Sequence, residues 1–167
     1  MSKKELKDLI GVEKYKMAID LREELIFKIQ DIMENKKRGL VVDSNPGMGA
    51  VKSVLNNAES YNEEYFYYHT YGFDNSKAFY EFLKEHNRND MFILLKSNKD
   101  DAFGDMEYSL LNAILNENDN KEICIKSPED KESFIFKGRI IVVDSTNNNI
   151  SEKIQNKDAV VDMKILA

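Results

Sequence analysis

Four short apolar runs constrain the fold more than any other feature of the sequence: "GLVVD" (39–43), "MFILL" (91–95), "RIIVVD" (139–144) and "AVVDMKIL" (159–166). The first three are too short for a buried helix and lack the polar alternation of a strand with one wet face, and the fourth reads as a final strand. The first three thus read as strands buried on both sides. Such strands, separated by segments of helical texture, predict an α/β fold: a mainly parallel sheet with helices on both faces.

The intervening segments fit that plan. Residues about 3 to 37 carry Leu6, Leu9, Ile10, Tyr15, Met17, Ile19, Leu21, Leu25, Ile26, Ile29 and Ile32 near helical spacing, which predicts one or two helices. "AVKSVLNNAES" reads as a helix, "EYFYYHTYG" as an aromatic strand, and "NSKAFYEFLKEHN" as a helix capped by Asp74 or Asn75. "DMEYSLLNAILNEN" predicts an amphipathic helix, "KEICIK" and "SFIFKG" a β-pair, and "NISEKIQNK" a helix before the last strand. With only seven glycines and two prolines in 167 residues, no long linker is visible. The expected organisation is one domain: a helical segment, 1–37, packed on an α/β core, 38–167.

Several function classes are disfavoured. No stretch approaches the roughly 20 apolar residues that cross a bilayer, and "MSKKELKDLI" lacks the apolar core of a leader, so a soluble, cytoplasmic protein without a membrane partner is expected. The single cysteine, Cys124, allows no internal disulfide or multi-cysteine metal site, and its place in "EICIK" predicts a strand-face thiol. His69 and His86 do not stand at ligand spacing. No metal site is predicted.

Charge is unevenly distributed. Residues 54–120 hold five Lys and Arg against thirteen Asp and Glu, an excess of eight negative charges where the whole chain's net is −6. Direct nucleic-acid binding is not expected from such a surface. It reads either as a solvated face that aids solubility or as a face drawn to a basic protein surface.

After "GLVV" comes "SNPGMGAVKS" (44–53), nearly a phosphate-binding loop. That chemistry requires G-x-x-x-x-G-K-[ST]: backbone N–H groups cradle phosphates, the lysine reaches the β and γ phosphates, and the hydroxyl holds Mg²⁺. Aligned on Gly47 and Gly49, Ala50 stands for the lysine and Val51 for the hydroxyl residue. Aligned on Lys52 and Ser53, Val51 takes the last glycine position and Pro46 the first, and a β-branched side chain is poorly tolerated there. Neither register gives a complete site.

Together with "SFIFKGRIIVVDS" (133–145), this order of strands, loop and helices resembles the core of AAA+ ATPases, most closely single-domain cores of phage and plasmid origin. The resemblance spans residues 38 to 166. It implies a three-layer αβα P-loop core with a mainly parallel five-stranded sheet, an N-terminal helical extension and no C-terminal lid. It also implies that the chemistry has been lost. Lys96 and Ser97 stand where the third core strand should bring Mg²⁺-binding and water-activating carboxylates. Ser145 is near the usual sensor asparagine, and Lys157, in "IQNK", replaces an arginine whose planar fork stabilises phosphoryl transfer.

The expectation is therefore a pseudo-ATPase without catalytic residues or cofactor, with weak ATP binding through the loop remnant left open as an alternative. Its implied role is that of a phage-encoded protein that inhibits or redirects host DNA replication by binding a host protein. The sliding clamp, through its basic DNA channel, and the helicase loader are the expected partners. Asp90, Asp100, Asp101, Asp105, Glu107, Glu117 and Asp119 are the carboxylates expected to meet the partner. The alternative is a divergent ATPase, or a non-catalytic subunit of a AAA+ ring. A homodimer is as compatible with the sequence as a ring.

Overall fold

The computed structural model describes residues 2–44, 52, 56, 65–69, 73, 75–88, 91–97, 105–116, 122–129, 131–145 and 149–164. In chain order the elements are α1 (Lys3–Ile10), α2 (Val12–Met33), β1 (Gly39–Asp43), β2 (Tyr65–His69), α3 (Ser76–Glu85), β3 (Met91–Ser97), α4 (Asp105–Asn116), β4 (Ile123–Lys126) and β5 (Ser133–Phe136). They continue with β6 (Arg139–Asp144), α5 (Ile150–Lys153), a 3₁₀ turn (Lys157–Ala159) and β7 (Val160–Asp162). The main sheet has the order β2-β3-β6-β1-β7 and every pairing in it is parallel. β4 and β5 form a separate antiparallel pair. The chain is thus an α/β fold built on a parallel sheet, as the apolar runs require.

Because side chains alternate across a strand, the register divides the core into two layers. Leu40, Val42, Phe92, Leu94, Ile141, Val143 and Val161 face α2 and pack on Leu25, Ile29, Ile32 and Met33. Val41, Ile93, Leu95, Ile140, Val142 and Val160 face the other way, into a cluster with α3, α4, α5 and the β4–β5 hairpin. The second layer includes Phe79, Tyr80 and Phe82 of α3, so the aromatic run at 79–82 is core. Among the described residues no helix is long and apolar enough to cross a membrane.

Local chemistry sets the helix ends. Ser2 and Glu5 form a capping box over α1: Glu5 N–H donates to Ser2 Oγ at 3.1 Å and Ser2 N–H to Glu5 Oε2 at 3.0 Å. Gly11, at φ 85°, breaks the chain between α1 and α2, a conformation that side-chain-bearing residues rarely take. α2 ends at a left-handed Asn35, and buried Arg139 donates to the terminal carbonyls of Ile32 and Met33, both at 3.3 Å. Arg38 lies beside it and donates to Lys137 O at 2.6 Å. Burial, and then the neighbouring Arg139 charge, lower the Arg38 pKa, with Glu122 opposing. Asn75 caps α3 by accepting Ala78 N–H at 2.9 Å, choosing between the two expected caps. Asn87 then serves the hairpin edge as a strand would: its amide donates to Ile135 O and accepts Lys137 N–H, both at 2.6 Å.

Two elements are shorter than the sequence predicts. The helix expected over "NISEKIQNK" covers only Ile150–Lys153, because buried Asn112 of α4 accepts Gln155 N–H at 2.9 Å and draws the backbone out of the helix. The last strand stops at Asp162, whose carboxylate accepts Lys164 N–H at 3.0 Å and so turns the chain. The helix expected at 50–60 lies largely outside the described residues, where only Lys52 and Asn56 appear, both helical.

Ile29 is fully buried between α2 and the sheet. Ile29→Ala is expected to cost roughly 2–5 kcal/mol in denaturant unfolding, as cavities of that size do. A loss below about 1 kcal/mol would mean that α2 does not pack on the sheet through this face.

Candidate functional site

Open parallel sheets bind ligands beyond the carboxyl ends of their strands, where neighbouring connections leave in opposite directions. Here β1 lies between β6 and β7, and the loop after β1 leaves from this edge. Register places three carboxylates in one row across it: Asp144 pairs with Asp43, and Asp43 with Asp162, while Ser97 of β3 pairs with Asp144. The row lies directly above the core row Leu95, Val142, Val41 and Val160, on the face of α3, α4 and α5.

Adjacent strands are about 4.8 Å apart, so like charges in register would repel strongly as burial lowers the local dielectric. Asp43 and Asp144 are each only 1% exposed. The chain supplies the compensation itself. Lys164 Nζ lies 3.1 Å from Asp43 Oδ1, an ion pair by distance rather than an aligned hydrogen bond. Asp43 Oδ2 accepts Ser151 N–H at 3.2 Å, within the first turn of α5. That turn has no cap of its own, since Asn149 is left-handed and its side chain makes no capping bond. Asp43 therefore caps α5 from a neighbouring strand, satisfying one of its orphan N–H groups. Met163 N–H donates to Asp43 O at 2.7 Å and Ser44 N–H to Asp144 O at 2.9 Å, which extends the pairing past the strand ends.

The sequence-predicted positions fall around this centre to different degrees. Ser145 is brought in directly: its Oγ lies 3.1 Å from Ser44 Oγ, joining the ends of β6 and β1. Lys157 Nζ donates to Ser151 O at 2.5 Å, so its charge is directed to the α5 backbone, one peptide from the group that Asp43 caps. Lys96 is half-buried and pairs in register with Val143, on the α2 side of the sheet and away from the carboxylate row. Lys52 is exposed. Gly47, Gly49, Ala50, Val51 and Ser53 lie outside the described residues, as do Asp90, Asp100, Asp101, Glu117 and Asp119. Asp105 and Glu107 belong to the first turn of α4.

Sequence reasoning did not single out Asp43, Asp144, Asp162 or Lys164. A signal was present: "GLVVD", "RIIVVD" and "AVVD" each end Val-Val-Asp, and three parallel strands with one ending align their aspartates once register is known. Among the described residues no group of three His, Cys, Asp or Glu is arranged to hold a metal ion. Cys124 is an exposed thiol on the outer face of β4, matching the strand-face expectation. His86 is half-buried, with Nδ1 2.9 Å from Phe82 O, an ordinary helix-end contact.

A cavity of about 380 Å³ opens at the opposite edge, by the amino end of β1, among Lys28, Asp31, Asn116, Asn156 and Asp158. Many of its polar groups serve the fold: Lys28 pairs with Glu24 at 2.9 Å, Asn156 donates to Leu115 O at 2.7 Å, and Asn116 donates to Gln155 Oε1 at 2.7 Å. The carboxyl edge is the stronger candidate, because it lies at the switch point and concentrates buried charge.

Lys164→Met should leave Asp43 without its counter-charge and cost roughly 2–4 kcal/mol in denaturant unfolding. Asp43→Asn combined with Lys164→Met should recover part of that loss, because the single variant strands a buried charge. Additive losses would show that the pair is not coupled. Compared with known protein families, curated proteins and solved structures, the chain matches none of them.

Proposed function

We propose that the chain is a catalytically inactive, AAA+-like binding protein, a three-layer core whose five-stranded sheet and loop remnant outlast the ATPase chemistry. The observation that supports the inactive reading is that Asp43, at the carboxyl edge, is engaged by the chain's own groups. Asp43 is committed to Lys164 and to the α5 N-terminus. A nucleotide with Mg²⁺ needs free carboxylate and hydroxyl ligands and a lysine reaching the phosphates. Lys96 at the end of β3, and Ala50 and Val51 in the loop, agree with that reading from the sequence alone.

A core without phosphoryl transfer acts through its surfaces. The acidic 54–120 region, with its excess of eight negative charges, suits a positively charged partner. By resemblance to phage-type cores, the partner we propose is a host replication protein: the sliding clamp, engaged through its basic DNA channel, or the helicase loader. Binding would inhibit or redirect replication. The carboxylates proposed for contact are Asp90, Asp100, Asp101, Asp105, Glu107, Glu117 and Asp119.

Direct binding of the purified chain to a purified bacterial sliding clamp and to a helicase loader tests this reading. One of the two should bind in a salt-sensitive manner. The triple variant Asp100→Lys, Asp101→Lys, Asp105→Lys should weaken that complex by about tenfold or more and flatten its salt dependence. No binding to either protein at low salt would overturn the proposal.

A further inference from the structure

Helix α2 carries more apolar surface than the sheet uses. Its buried side, Tyr15, Leu25, Ile29, Ile32 and Met33, faces the core. With 3.6 residues per turn, Val12, Lys16, Ile19, Glu23 and Phe27 fall in a second sector about 80° wide, roughly 130° around the helix from the buried side. Val12 is 56% exposed, Ile19 40% and Phe27 66%. Lys16 and Glu23 are also exposed, and neither makes an ion pair among the described residues.

The order along this stripe is apolar, cationic, apolar, anionic, apolar, and it is complementary to its own reverse. Set against a second copy running antiparallel, Val12 meets Phe27, Lys16 meets Glu23, and Ile19 lies near the two-fold axis beside its own copy. The opposite-charge pair and the Val–Phe contact each occur twice, as an isologous interface requires. A parallel pairing would instead set Lys16 on Lys16 and Glu23 on Glu23. We propose that the exposed stripe of α2 is a homodimer interface in which two copies pack antiparallel through Val12, Lys16, Ile19, Glu23 and Phe27.

From Val12 to Phe27 the stripe is about 22 Å long at 1.5 Å per residue. One helix pair of that length buries less than a standard interface, so the dimer is a reversible one, in equilibrium with monomer at micromolar concentrations. The interface does not depend on the partner proposed above, because it lies outside the acidic 54–120 region.

Sedimentation of the full chain over about 1–300 µM tests the proposal, a range chosen for a weak interface. The wild type should pass from monomer to dimer. Lys16→Glu and Glu23→Lys should each weaken the dimer about tenfold, since each turns two attractive pairs into two repulsive ones. The double variant Lys16→Glu with Glu23→Lys restores both pairs with reversed sign and should return the dissociation constant to within about threefold of wild type. Phe27→Glu should abolish the dimer without lowering the thermal midpoint of the monomer, because Phe27 is 66% exposed and lies outside the core clusters of the described residues. A wild type that stays monomeric to the top of the range would overturn the proposal. So would single reversals without effect, or a double variant weaker than either single.

Discussion

The fold depends on one constraint, the parallel register that ties β3, β6, β1 and β7 together. It sets Leu95, Val142, Val41 and Val160 in a row under α3, α4 and α5, and Leu94, Ile141, Leu40, Val42, Val143 and Val161 under α2. A slip of one residue in β1 would expose Val41 to the α2 side and turn Asp43 into the α2 layer. The same register that buries the valines lines up Asp144, Asp43 and Asp162 at the carboxyl edge. Packing thus creates an electrostatic problem, and Lys164 and the α5 N-terminus answer it.

That answer links stability to function. In an active phosphoryl-transfer enzyme the carboxyl edge keeps its charged groups available for phosphate and metal. Here several of the described groups at this edge are engaged within the chain. Ser44 meets Ser145, Asp43 meets Lys164 and Ser151, and Lys157 is directed to the Ser151 carbonyl. The surfaces we propose for partners are the acidic middle third of the sequence and the apolar stripe of α2.

Much of the fold was legible because its signals are local. Runs such as "RIIVVD" read as buried strands, and neighbouring residues narrow the cap of α3 to Asp74 or Asn75. The pairing of "KEICIK" with "SFIFKG" followed from alternation and a short connection. What was not legible depended on contacts between distant segments. The "NISEKIQNK" helix is cut short by Asn112, about 40 residues earlier, and no local pattern announces that bond. Asp43 looked like the polar end of a strand, and its role emerged only when β7 brought Lys164 beside it. The exposed side of α2 was hidden for the opposite reason: Ile19 and Phe27 are apolar, and periodicity alone assigns apolar residues to the core without saying which face the sheet takes.

We propose that the carboxyl edge is closed to nucleotide by the chain's own charges. Calorimetric titration of the purified chain with ATP, with and without Mg²⁺, tests it most directly. Binding no tighter than about millimolar, with no gain from the metal, is expected, since Asp43 is held by Lys164 and by Ser151 N–H. Micromolar affinity that requires Mg²⁺ would contradict it, and would return the chain to the class of working nucleotide-binding proteins.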